Sequence, residues 1–132
     1  MDRSAQVVVV DDDPRRRLAL RSLLAAAGWK EEEIKEAANG LAFLALMSEG
    51  GLRLALVDVR LPFLDGLAAT RLAKERRPDL TVVTYSALKM PALAERSGRA
   101  GARAHLTYPF TARELREALQ VQPLRSRKKA AS

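Results

Sequence analysis

Apolar positions along the chain follow two spacings. Unbroken apolar stretches stand at 6–10 (QVVVV), 53–58 (RLALVD) and 80–86 (LTVVTYS). They are short and rich in β-branched residues, which reads as strands buried on both faces. Residues 33–37 (EIKEA) and 102–107 (ARAHLT) read as two further strands with sparser apolar content. Between the strands the spacing becomes helical. Pro14 opens a helix with Leu18, Leu20, Leu23, Leu24 and Ala27 inward, ended by Gly28. A short helix begins at Gly40 and stops at Gly50 and Gly51, and another runs from Asp65 to the residue before Pro78. A fourth spans 91–100 and ends at Gly101. The last is capped by Thr111, with Glu114 three residues on as its reciprocal partner. Five strand–helix units with short connections predict an α/β fold: a doubly wound, five-stranded parallel sheet covered on both faces.

Such a sheet gathers the C-terminal ends of its strands along one edge, and ligands bind there. The first strand ends in Asp11, Asp12 and Asp13. The third ends in Asp58, the fourth in Ser86 and Ala87, the fifth in Thr107, Tyr108 and Pro109. Carboxylates a few Å apart repel by about 1–4 kcal/mol per pair at effective dielectrics from 80 to 20. A cation relieves that repulsion. Hard oxygen donors without His or Cys suggest magnesium, which also favours a bound phosphoryl group. Some acids have a local explanation. Asp13 before Pro14 and Asp65 before Gly66 read as helix caps. The run Arg15, Arg16, Arg17 reads as a solvated helix face.

Composition narrows the classes. The chain has 132 residues and 48% hydrophobic content, enough for one domain with a proper core. It has no cysteine and one His, which excludes disulfides and thiolate metal sites and disfavours a His-based zinc site. No apolar run is long enough to span a membrane, and the opening MDRSAQ lacks a signal-peptide pattern. The expected location is cytoplasmic. The net charge is +7, but Arg125, Arg127, Lys128 and Lys129 carry four of those charges in a basic tail. The tail has no interleaved aromatics, so nucleic acid is not the expected partner of the domain.

Taken together, VVDDDP, VDVRLPFLDG, the YSA strand end and GARAHLTYPF resemble the receiver domain of two-component response regulators, with a flavodoxin-like or CheY-like (βα)5 fold. The likeness implies a receiver over residues 1–121 and a tail or linker over 122–132. It implies that Asp58 is the phosphoacceptor, and that Asp11, Asp12, Asp58 and the Arg60 backbone carbonyl hold Mg2+. Ser86 and the Ala87 N–H would bind the phosphoryl group. His105 takes the place of the aromatic switch residue, and the Tyr108–Pro109 bond is expected to be cis. The family has a Lys where this chain has Tyr108, so the usual cation of the site is missing; the Arg60 guanidinium is the candidate substitute.

The implied partners are a sensor histidine kinase or phosphotransfer protein, and an output protein or fused effector domain. Self-association through the fourth helix, fifth strand and fifth helix is also implied. Such a domain catalyses only its own phosphorylation and dephosphorylation, and is not otherwise an enzyme. Two alternatives remain. One is a pseudo-receiver, a phosphate-independent interaction module. The other is a small phosphatase of the haloacid dehalogenase type, because Asp11 and Asp13 form Asp-x-Asp; Arg15 stands where that class has Thr or Val.

Overall fold

Four valines, Val7–Val10, make the first strand, β1, and all four are fully buried. In this computed structural model, which describes residues 6–120, the other strands are β2 (Ile34–Ala37), β3 (Leu54–Asp58), β4 (Thr81–Ser86) and β5 (Ala104–Thr107). The helices are α1 (Pro14–Ala26), α2 (Gly40–Met47), α3 (Gly66–Arg76), α4 (Pro91–Ala100) and α5 (Ala112–Gln120). A 3₁₀ turn, Glu31–Glu33, precedes β2. It ends a polar approach that sequence periodicity had not marked. The strands form one parallel sheet in the order β2-β1-β3-β4-β5. The tail at 122–132 and the boundary at 121 lie outside the described residues.

Period-two alternation sorts the strands onto two cores. Val8, Val10, Ala55, Val57 and Val82 face one side, packed with Phe43, Leu44 and Met47 of α2 and Ala69 and Ala73 of α3. Val7, Val9, Leu54, Leu56, Val83 and Tyr85 face the other, with Leu20 and Leu24 of α1 and Leu115 of α5. A parallel sheet needs both faces covered because its crossover helices lie on both. Leu18 departs from expectation: it is 65% exposed. Leu20 and Leu24, four residues apart, already point at the sheet, and Leu18 falls off that stripe.

The caps form as the side chains demand. Asp13 accepts from the Arg15 N–H, and Asp65 accepts from the N–H groups of Leu67 and Ala68. Thr111 and Glu114 form the expected reciprocal pair, at 3.0 and 2.9 Å. Among the described residues no helix is long and apolar enough to cross a membrane.

Gly66, the first residue of α3, lies directly under the end of β3. A β-carbon there would overlap the Asp58 carbonyl oxygen and come within 2.7 Å of the Val59 Cα. Both obstacles are backbone and cannot rotate away. Gly66→Ala should therefore lose about 3 kcal/mol or more of folding stability, at or above the upper end of overpacking costs. Urea unfolding of the two proteins measures it.

Candidate functional site

Strand register builds the site. Val10 of β1 pairs with Val57 of β3, so the next residues, Asp11 and Asp58, leave the sheet side by side. Asp58 is in register with Tyr85 of β4, and Ser86 is in register with Thr107 of β5. The strand order reverses between β1 and β3, and the two acids flank that crevice. One carboxylate oxygen from each of Asp11, Asp12 and Asp58 lies within 4.8 Å of the others. Asp11 and Asp58 are buried and Asp12 is exposed.

Each buried acid has specific partners. Asp11 Oδ1 accepts from its neighbour's backbone, the Asp13 N–H, at 2.9 Å. Asp11 Oδ2 accepts from Arg16 Nε at 2.9 Å and from the Tyr85 hydroxyl at 2.7 Å. Asp58 Oδ1 accepts from the Arg60 N–H at 3.0 Å, and Arg16 Nη2 stands 3.4 Å from Asp58 Oδ2. Arg16 also faces Asp12 at 3.7 Å and Asp13 at 3.5 Å. Its guanidinium is the cation in contact with the cluster, and the Asp11 hydrogen bond holds it more firmly protonated than an ordinary arginine.

The Arg15–Arg17 run is thus not a solvated face. Arg15 is exposed, but Arg17 donates to the Asp11 carbonyl at 2.7 Å and to Glu36 at 2.6 Å. The Arg60 guanidinium, expected to supply charge to the pocket, is exposed and makes no side-chain hydrogen bond or ion pair among the described residues; Arg60 meets Asp58 through its backbone. Helical spacing carries the sequence signal for Arg16. It lies four residues after Asp12 and three after Asp13, on one helix face. Tyr85 gave no signal beyond its place in an apolar strand.

The remaining predicted residues ring the same edge. Ser86 is buried and its Oγ accepts from the Leu88 N–H at 3.0 Å, while Ala87 is exposed. The Tyr108 N–H donates to the Ser86 carbonyl at 2.8 Å, and the Tyr108–Pro109 bond is cis. The Tyr108 ring joins Tyr85 and Phe110 in an aromatic cluster, with centroids 5.9 and 6.1 Å away. His105 is half-buried. Its Nδ1 is 2.8 Å from Thr84 Oγ1 and 3.3 Å from Ser97 Oγ, so β4, α4 and β5 share one polar contact. Its Nε2 is buried without a partner among the described residues, and burial pushes its pKa down, favouring the neutral ring.

An open parallel sheet with an all-oxygen acidic cluster at its reversal point defines a class of small α/β domain that binds ligands at one edge. The comparisons place it within that class. The response regulator receiver domain model matches residues 7–120, and the chain belongs to that family. It is 27% identical over 122 residues to sporulation initiation phosphotransferase F of Bacillus subtilis, covering 92% of this chain and 96% of that protein. It is 25% identical over 114 residues to the chemotaxis protein CheY of the same organism, covering 86% and 93%. Among solved structures, the receiver domain of NtrX from Brucella abortus superposes with a TM-score of 0.77 at 28% identity, covering 89% of this chain and all of that one. The chain is therefore a receiver domain of two-component signal transduction, a signalling domain.

Asp58 is pushed up to about 6, first by burial and then by the neighbouring Asp11, against the opposing Arg60 N–H and Arg16. The folded state therefore holds this proton where the unfolded chain, near its ordinary value of about 4, has released it. Stability contributed by the protonated form is lost as pH rises from about 4 through about 6. Asp58→Asn removes the buried charge. It should raise the stability of the metal-free protein by about 1–3 kcal/mol at pH 7.5 and leave it unchanged below about pH 4. Denaturant melts across that range are the measurement.

Proposed function

We propose that Asp58 is the phosphoacceptor. A carboxylate oxygen of Asp58 attacks the phosphorus of a phosphohistidine on a sensor kinase or phosphotransfer protein, or of a small acyl phosphate. The P–N or P–O bond of the donor breaks, the leaving group takes the electron pair, and Asp58 becomes an acyl phosphate. A carboxylate needs no general base for this attack. What remains for the protein is positioning and charge. The observation that carries the reading is the placement of Asp58: a buried carboxylate at the crevice edge, one oxygen fixed by a backbone N–H and the other beside a cation.

The donor set fits a hard divalent ion: carboxylate oxygens only, close together, with exposed Asp12 open to solvent. Asp11, Asp12, Asp58 and the Arg60 carbonyl would hold Mg2+, which when bound neutralises charge on the phosphoryl oxygens. Ser86 Oγ and the Ala87 N–H donate to those oxygens. Asp11 orients the edge through Tyr85 and Arg16. The output is a population shift of the α4-β5-α5 face, where the contact of His105 with Thr84 and Ser97 joins three elements. That face meets the output partner or a second copy of the chain. Cytoplasmic placement follows from a kinase donor of this kind.

The pseudo-receiver reading has one observation in its favour: position 108 offers an aromatic ring packed on Tyr85 and Phe110 in place of a cation. Incubation with an acyl phosphate and Mg2+ separates the two readings. We expect a mass gain of one phosphoryl group, mapped to Asp58 and absent from Asp58→Asn. An unmodified Asp58 with all donors, alongside intact partner binding, favours the interaction module. Asp12→Asn should weaken Mg2+ binding by roughly tenfold, because hard-cation affinity follows carboxylate count. Calorimetric titration reads it, and unchanged affinity would remove Asp12 from the ligand set.

A further inference from the structure

Four carboxylates, Asp11, Asp12, Asp13 and Asp58, surround one guanidinium. The contacts divide between its two ends. Nε and Nη1 face Asp11 and Asp13, at 2.9 and 3.5 Å. Nη2 is shared by Asp12 at 3.7 Å and Asp58 at 3.4 Å. The Arg16 side chain is 34% exposed, so its outer end has room to turn. Arg17, one residue on, ties the start of α1 to the Asp11 carbonyl and to Glu36, and so holds the helix from which Arg16 projects.

We propose that Arg16 is the resident cation of the acidic pocket and competes with divalent metal for it. Without metal, Nη2 screens Asp12 from Asp58. A divalent ion needs the same oxygens, so Nη2 must leave them, while Nε and Nη1 keep the residue tethered to Asp11 and Asp13. The pocket's metal affinity is then an exchange of one cation for another, lower than its carboxylates alone would give. The freed Nη2 remains beside Asp58 and donates to an oxygen of any group attached there. A planar guanidinium with several fixed donors suits phosphoryl oxygens as well as carboxylates. This second role rests on the phosphoacceptor reading; the metal competition does not.

The two roles leave opposite signatures in one variant. Arg16→Gln removes the competitor and should tighten binding of Mg2+ alone by roughly fivefold or more, the size of a typical coupling between sites. The same variant, at Mg2+ concentrations that saturate it, should be modified by acyl phosphate at Asp58 roughly tenfold more slowly, the effect expected of one lost charged donor. Arg16→Lys keeps the charge and should restore part of both. A residue that only packed or capped the helix would not tighten metal binding when removed. Thermal melts with and without Mg2+ guard against a folding defect: Arg16→Gln should melt lower than wild type without Mg2+ and gain more from the ion. Unchanged or weaker Mg2+ binding in a folded Arg16→Gln variant overturns the proposal. Tighter binding with wild-type modification rates overturns the second role and keeps the first. Tighter binding with no modification of wild-type Asp58 keeps the competition and refutes the phosphoacceptor reading.

Discussion

The parallel register of β1 and β3 sets two acids next to each other at the sheet edge, and the molecule is arranged around holding them there. Asp11 has no exposed surface and Asp58 only 5%. Burial penalises the charged form of each, and their proximity adds repulsion of order 1–4 kcal/mol at intermediate dielectric. The structure answers with donors from several elements: a backbone N–H from each of two loops, the Tyr85 hydroxyl from β4, and the Arg16 guanidinium from α1. Asp58 receives the weaker support, and burial pushes its pKa up to about 6. Asp11 receives three donors and anchors the others.

That division separates a fully braced acid from one with fewer donors. Asp11 links β1 to α1 through Arg16 and to β4 through Tyr85, so the crevice is braced from both sides. Asp58 sits above Gly66, whose missing side chain lets α3 start against the β3 backbone. The two hydrophobic cores have a related task. β1, β3 and β4 contribute alternate residues to each core, which fixes the register, and the register fixes which acids meet. A slip of one residue between β1 and β3 would separate Asp11 from Asp58 along the edge.

Elsewhere on the edge the chain uses aromatic and neutral polar groups. Tyr85, Tyr108 and Phe110 pack ring to ring between β4 and the β5–α5 loop. Burial and the adjacent Asp11 hold the Tyr85 phenol in its neutral, donating form, so it serves Asp11 as a hydrogen-bond donor only. On the other face of the sheet, Thr84, Ser97 and His105 form a small polar contact within an otherwise apolar layer. Such a contact has defined partners and joins β4, α4 and β5 at one point. The positive charge in contact with the two buried acids comes from the first helix, not from the loop that carries Tyr108.

The sequence by itself determined the five strand–helix units, their caps and the edge where Asp11, Asp12, Asp58 and Ser86 would gather. These depend on short-range properties: alternation, helical spacing, a Pro at a helix start, an acid before it. It also determined that position 108 is Tyr and cannot supply a cation. Only the tertiary structure decided where the compensating charge stands. Arg16 looked like one of three solvated arginines because its partners come from β1, its own helix and β3; the contact with Asp58 spans 42 residues of chain. Tyr85 looked like an ordinary strand residue because its hydroxyl meets Asp11 across 74 residues. The exposure of Leu18 and the idle guanidinium of Arg60 have the same cause. Local spacing says which face a side chain takes, but its partner depends on which strands become neighbours and in what register.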